Sequence, residues 1–557
     1  NAVDPNGDPL SIDSFTQGST GTVTDNGDDT LTYTPAPGWT GVDTFTYTVT
    51  DGAETDTGTV TVTVALHSDP MAVWRRSGQS TPFYSAWDGA TFGGTQPSAG
   101  VGELRILQGA ESPSRDEAIV VGVDTGTTIA GELWDGSSWT ALPTLGTTDQ
   151  NYWWSFDVAY ESVSGDAVVV YADGANLRYR VWNGFAPWGA EQTISQPLAG
   201  TPRQMQLASH PYSDEMVLIV SNSSSQDYAL VWDGSAWGNG VPLASSGSGN
   251  DRTDVYVAYE SQSGDALVVY GKGTDEVYYR LWNGGTWLDE AALPAPTWPL
   301  GVTGYARWTT LASDPGTDRI AMGVLTSGGE VWLAVWSGLS WVSREVVTQS
   351  ATGVTHPAVA VAFEGSSGEA IAAYGDGSTT PKYQAWSWAT GWQTELGIAG
   401  IGAVSNSMML YPQPASDNVM FAVQDASSDL HYIPWDGASW GTPHELETST
   451  GDNKNQPFLF LAQGAVGSAP PTYSVSGTVF EDVAGDMLSD GSIGDAGNPG
   501  VAGVEVYLYE HDGGAPNVGD PLFLQPGIPN PATTDGSGRY TFAGVPDGEY
   551  WVVVDSN

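Results

Sequence analysis

Three sets of side chains in this chain have types and spacings that could do chemistry. Asp4, Asn6 and Asp8 alternate along one short segment, so one face of it offers several hard oxygens, and a calcium ion takes six to eight of those. Asp, Asn and Gly also form turns because they tolerate left-handed backbone angles, so ligation and turn formation both stay open here. The second set is basic: Arg105, Arg203, Arg252, Arg307 and His356 stand 11 or 13 positions before Asp116, Asp214, Asp265, Asp318 and Glu369. Odd offsets place the five on one face of period-two strands, and Lys454 precedes the last strand of the same region. These cations could hold an anionic group by charge-assisted hydrogen bonds, or pair internally with nearby acids. The third set is a scatter of carboxylates without the distinguished pair that glycoside hydrolysis requires.

Other chemistries lack their parts. The chain has no cysteine, which excludes disulfides, thiolate metal sites and cysteine nucleophiles. Its six histidines, at 67, 210, 356, 431, 444 and 511, form neither an HExxH motif nor a repeated metal spacing, and read as surface or turn residues. With 65 acidic residues against 16 basic ones, the net charge of −49 repels nucleic acid and anionic membranes. Such an excess calls for counter-ions, and Ca²⁺ is the expected one. No apolar run reaches the length of a membrane span, so no membrane insertion is expected of this segment.

The elements that must position these residues are strands. From about 66 to 465 a repeat of about 50 residues is marked by a Trp, then Asp, Asn or Ser, then Gly, then a second aromatic. Eight copies start at Trp87, Trp134, Trp182, Trp232, Trp282, Trp336, Trp386 and Trp435. Fifteen of the 24 tryptophans belong to this motif, and a large aromatic recurring at a fixed place favours packing between stacked sheets over chemistry. One unit reads Asp254 to Glu260, Asp265 to Tyr270, Glu276 to Trp282 and Trp287 to Leu293, which is four short antiparallel strands, a propeller blade. The first copy lacks its first strand, and a spare one occurs at Gln456 to Ala462. The expectation is an eight-bladed β-propeller closed by pairing that C-terminal strand with Met71 to Arg75, which removes the open edges. First strands line a propeller's channel, so the basic set is expected as a collar at one mouth.

Two flanking segments have their own wording. Residues 1 to 65, with neither Lys nor Arg, alternate Thr, Val, Tyr and Phe between DG and NG turns, as in Thr44 to Val49 and Thr59 to Val64, which predicts a half-buried antiparallel sheet. The phrases Asp4 to Leu10, Gly21 to Gly27, Tyr33 to Pro35 and Phe45 to Gly52 resemble the cadherin-like Ig repeats of giant bacterial surface proteins. That resemblance implies a partial Ig-like β-sandwich whose first strands precede Asn1, with Asp43 and Asp51 as further calcium ligands. After a linker at 466 to 472, residues 473 to 557 resemble the B-type repeats of Cna and Sdr adhesins through Ser476 to Asp482, Gly497 to Val504, Thr534 to Tyr540 and Gly548 to Val554. This implies a Cna-B-like, prealbumin-like β-sandwich, in which Asp482, Asp486, Asp490 and Asp495 match a calcium loop, with Ala484 where an Asn is usual. Neither flank contains a lysine, so neither can form an internal Lys isopeptide bond.

The whole reads as an all-β, extracellular or cell-surface segment of a large structural or adhesive protein, not an enzyme. Its expected partners are other copies or neighbouring domains, as in an extracellular filament, with glycans as further candidates. The alternative is a carbohydrate-binding propeller, because Tyr278 to Trp287 resembles the repeat of fucose-binding propeller lectins. A polysaccharide-degrading enzyme is the third reading.

Overall fold

The computed structural model describes residues 11–64 and 70–461, and within the last ninety residues 473–478, 501–510 and 531–554, in each case apart from short loops. Among the described residues every regular element is a strand, so no helix is long and apolar enough to cross a membrane. The chain divides into two units, 1–466 and 467–557.

Eight sheets, like the blades of a propeller, fill residues 71 to 461. Sheet 1 joins Met71–Trp74, Phe83–Ala86 and Gln96–Pro97 to the distant strand Phe458–Leu461. Sheets 2 to 8 follow in chain order, with first strands Leu104–Glu111, Phe156–Tyr160, Pro202–Ser209, Tyr256–Tyr259, Ala306–Ser313, Val359–Phe363 and Ser405–Pro412. In each of these the chain meanders outward from its first strand through antiparallel neighbours. The second strands are buried over almost their whole length, Ala266–Gly271 and Ile320–Thr326 completely. A strand covered on both faces reads as a continuous apolar run, and this is why Ala-Leu-Val-Val-Tyr carries no alternation.

Sheet 1 is completed across the whole region. Phe458 lies opposite Trp74, Leu459 opposite Val73 and Leu461 opposite Met71, the pairing expected from the spare strand. Phe458 and Phe460 pack with Trp74, Met420 and Tyr432 on one side, while Leu459 and Leu461 pack with Leu104 and Val120 on the other. Sheet 1 therefore lies between sheets 8 and 2.

The sheets alternate in kind, so the structural repeat is two sheets. Sheets 2, 4, 6 and 8 have eight-residue first strands with a bulge, whose extra residue is Arg105, Arg203, Arg307 or Asn406. Sheets 3, 5 and 7 have shorter, unbulged first strands. Each odd sheet presents a tyrosine to the aromatic pair of the next even sheet: Tyr84 to Trp134 and Trp139, Tyr179 to Trp232 and Trp237, Tyr279 to Trp336 and Trp341, Tyr383 to Trp435 and Trp440, with ring centroids 5.5 to 6.2 Å apart. Three of these junctions carry a polar staple. The indoles of Trp232, Trp336 and Trp435 donate to Glu161, Glu260 and Glu364, each at 2.6 Å. Asp214, Asp318 and Asp417 accept two backbone N–H groups from the turns that follow those glutamates.

Burial holds these glutamates above the usual carboxylate range, Glu260 up to about 9, with Asp318 adding repulsion. At the junction from sheet 4 to sheet 5, Glu215 accepts from Tyr259 Oη (3.0 Å) and Trp282 Nε1 (2.9 Å). At sheet 6, Arg319 takes the place of that acid. The hydroxyl is correspondingly gone, for Arg319 lies over Phe363 and Trp386, 5.9 and 5.6 Å from their centroids, as a cation over aromatic faces should.

In the N-terminal segment, Gly41–Thr50 pairs with Thr55–Val64 and with Ser11–Phe15, and Gly21–Asp25 pairs with Leu31–Pro35. In the second unit Tyr473–Thr478 pairs with Arg539–Val545, and Glu505–Glu510 pairs with Tyr550–Val554 and Ala532–Thr533. Val506, Leu508 and Phe542 are its fully buried side chains among the described residues.

Two outcomes are expected. Phe458→Ala in the closing strand should cost about 3–5 kcal/mol, the range for removing a buried aromatic, read as a lower denaturant midpoint. A carboxyl whose folded value exceeds its unfolded one stabilises most below the unfolded value and loses that contribution as pH rises through the folded value. The melting temperature should therefore fall between about pH 4.5 and 9, and Glu260→Gln should make that fall shallower.

Candidate functional site: the central cavity and its mouth

First strands of successive sheets face a common axis and enclose a cavity of about 510 Å³, within the range of small-ligand sites. Its polar lining includes Gln108, Gln206, Thr309, Thr310, Tyr256, Asp157 and Gln456. Its apolar lining includes Trp154, Trp308, Val359, Met408 and Phe460. Trp154, just ahead of the first strand of sheet 3, meets Trp308 of sheet 6 edge to face at 5.4 Å, so two sheets that are not neighbours touch across the axis.

Asp157 is the buried acid of this cavity. Its Oδ1 accepts the Val158 N–H at 2.9 Å and its Oδ2 the Leu207 N–H at 2.7 Å, tying sheet 3 to sheet 4. Burial outweighs those two bonds and pushes its carboxyl up to about 7. The same burial, with Asp157 nearby, raises the Tyr256 hydroxyl. The chamber thus combines two indoles, amides, hydroxyls, the Glu111 carboxyl and an acid whose burial favours its neutral form. That set suits a compact, uncharged, hydroxyl-rich ligand better than an ion.

The basic residues predicted as a collar are partly assembled. Every sheet runs outward from a first strand that starts at the same end of the ring, and Arg105, Arg203 and Arg307 are each the second residue of theirs. They share a mouth, with His356 just ahead of the first strand of sheet 7. The period-two count is interrupted at the three arginines, however, because each is the extra residue of its bulge, which re-aims a side chain. Internal pairing, the other alternative, is present: Arg203 meets Asp149 at 2.7 Å, and Glu103 lies beside Arg105. Arg252 and Lys454 lie outside the described residues.

The calcium candidates divide similarly. Asp4, Asn6, Asp8, Asp51, Asp482, Asp486, Asp490 and Asp495 lie outside the described residues. Asp43 is buried, and its oxygens accept from Ser19 N and Oγ, Thr20 N, Thr44 N and Tyr33 Oη, all at 2.8 to 3.0 Å. Although burial opposes ionisation, those donors hold its carboxyl well below the usual range. A Cβ on Gly18 would sit 2.3 Å from its Oδ2, so only glycine fits there. Asp43 is thus a hydrogen-bond hub tying the 19–20 turn to its sheet.

In the lectin-like stretch Tyr278 to Trp287, Tyr279 is committed to the next sheet's tryptophans, and Trp287 donates to Asn239 O at 2.6 Å. Its repeated aromatics are packing. The cavity residues Trp154, Asp157 and Trp308 carry no repeat signal in the sequence, because they stand at positions where the sister strands differ. The signal available was the break itself, for Trp308 stands where the sister strands have Ile106, Gln204 and Ser407.

The chain is thus an all-β protein of propeller-like sheets with a central cavity and a cadherin-like domain, for the cadherin-like domain family matches residues 1–65. No curated protein matches the chain. Among solved structures, it is similar to the BP39L lectin of Burkholderia pseudomallei at 12% identity, covering 62% of this chain and 100% of the other, with a TM-score of 0.47. It is also similar to the six-bladed fucose-recognising lectin of Aleuria aurantia (14%, 50% and 95%, 0.31). A third is AztD of Citrobacter koseri (11%, 71% and 97%, 0.41).

Proposed function

We propose that this protein is a carbohydrate-binding β-propeller of eight blades, and that the sugar occupies the central cavity rather than the gaps between blades. The observation that carries this reading is the lining: the indoles of Trp154 and Trp308, in edge-to-face contact, beside the neutral polar groups of Gln108, Gln206 and Thr310. Aromatic faces cover the apolar side of a sugar ring, while amides and hydroxyls meet its hydroxyls, and no net charge is needed. Binding rather than catalysis fits Asp157, whose two oxygens accept backbone N–H groups and so act as a tie between strands.

A second reading concerns context, and the match of residues 1–65 to a cadherin-like domain favours it. The propeller is carried in an extracellular surface protein, between that Ig-like module and a Cna-B-like one, and neighbouring domains or further copies of the protein are its partners. Calcium belongs to this reading through Asp4, Asn6 and Asp8.

A glycan array probed with the full chain is expected to select neutral glycans. Trp154→Ala should weaken the best of them about tenfold, equivalent to about 1.4 kcal/mol, without lowering the melting temperature enough to unfold the ring at assay temperature. An array with no binder, or affinity unchanged in both Trp154→Ala and Trp308→Ala, would overturn the cavity assignment.

A further inference from the structure

The four even sheets share one hairpin turn between their second and third strands, at the end of the ring where the first strands begin. In each, the first residue of the turn caps two backbone N–H groups, two and four positions on: Asp124 those of Gly126 and Thr128, Asn222 those of Ser224 and Gln226, Thr326 those of Gly328 and Glu330, Asp425 those of Ser427 and Asp429. The fourth residue has positive φ in all four, at Thr127, Ser225, Gly329 and Ser428. Backbone geometry is therefore common, and only the side chains differ.

In sheets 4 and 6 the first and fifth side chains of the turn satisfy each other. Asn222 Nδ2 donates to Gln226 Oε1 at 3.1 Å, and the Thr326 hydroxyl donates to Glu330. Sheet 8 places two carboxylates, Asp425 and Asp429, at those positions, and two acceptors cannot bond to each other. The next inward position, Tyr228 in sheet 4 and Trp332 in sheet 6, is His431 in sheet 8. One ligand atom from each of Asp425, Asp429 and His431 lies within 4.8 Å of the other two.

His431 supplies an independent observation. Its side chain is nine-tenths buried, and its Nε2 has no hydrogen-bond partner among the described residues. That nitrogen is 3.6 Å from Asp425 Oδ2, too far for a hydrogen bond. It is close to the separation of about 3.3 Å between two ligands on one tetrahedral ion with 2.0–2.1 Å bonds. Asp425 Oδ1 is occupied by the two turn N–H groups, which leaves Oδ2 directed at the imidazole. Glu445, opposite His431 on the next strand, adds negative charge. A cation would relieve this crowding.

We infer that Asp425, Asp429 and His431 form a binding site for one divalent transition-metal ion, of which Zn²⁺ is the representative, at the hairpin tip of sheet 8. The imidazole favours zinc, nickel or copper over calcium, whose ligands are oxygens. Three protein ligands leave the remaining coordination to water or to an incoming group. Bound there, the ion joins two adjacent strands at the mouth of the ring.

The full chain, stripped with chelator, is titrated with Zn²⁺ in millimolar calcium, which saturates oxygen-only acidic sites. One ion per chain should bind well above the background, and zinc should raise the melting temperature. His431→Gln and Asp429→Asn should each weaken that site at least about tenfold and abolish the zinc-dependent rise, while melting like the parent in chelator. If both variants bind zinc as the parent does, or the parent shows no such site, the cluster is a His–Asp ion pair and the inference fails.

Discussion

A strand that is apolar on both faces cannot be left with either face in water, and the second strand of every sheet from 2 to 8 is of this kind. Each sheet therefore needs a neighbour on each side, and a linear stack would leave two bare ends. Closing the stack into a ring is the arrangement that leaves none. The closing strand Phe458–Leu461 follows from the same demand: its alternate side chains feed the cores on either side of sheet 1. Without it sheet 1 would expose an unpaired edge and part of two cores at once.

The polar staples depend on that closure. An acid that accepts from an indole in the next sheet is held in place by packing it does not itself provide. Burial then raises Glu161, Glu260 and Glu364, while the indole N–H groups and serine hydroxyls they accept from oppose that shift. In a chain of net charge −49 this matters: burial at the junctions works against ionisation of acids whose charge would add to the repulsion across the ring. The coupled change of Glu215 to Arg319 and Tyr259 to Phe363 shows the same junction solved with the opposite charge.

What could be read in the sequence was what repeats. Trp-Asp-Gly phrases at a spacing of about 50 gave the sheets, and the missing first strand near Met71 gave the closure. The two-sheet period was hidden, because it lies in bulges and in strand length, and neither disturbs the tryptophan spacing. Those bulges also displaced the arginine count. Acid-rich turns and hydrogen-bond hubs use the same residue, so the five donors on Asp43 could not be read from its position in the sequence. His431 was read as a surface or turn residue, since an Asp, Asp, His set spaced by four and two has no familiar pattern outside a defined hairpin.

Repetition also indicates where function can reside. Residues at equivalent positions in every second sheet, such as the Tyr–Trp–Trp clusters, are committed to holding the ring. Positions that break the repeat carry no such commitment. Asp157 corresponds to Tyr256 in sheet 5 and Ala360 in sheet 7, and Trp308 to Ile106, Gln204 and Ser407. These departures lie on sheets 3 and 6, which meet across the axis and narrow a channel that perfect symmetry would leave uniform. A cavity made asymmetric by unrepeated aromatic and polar residues can bind a ligand in one orientation, whereas a ring of equivalent gaps would offer every ligand several identical places.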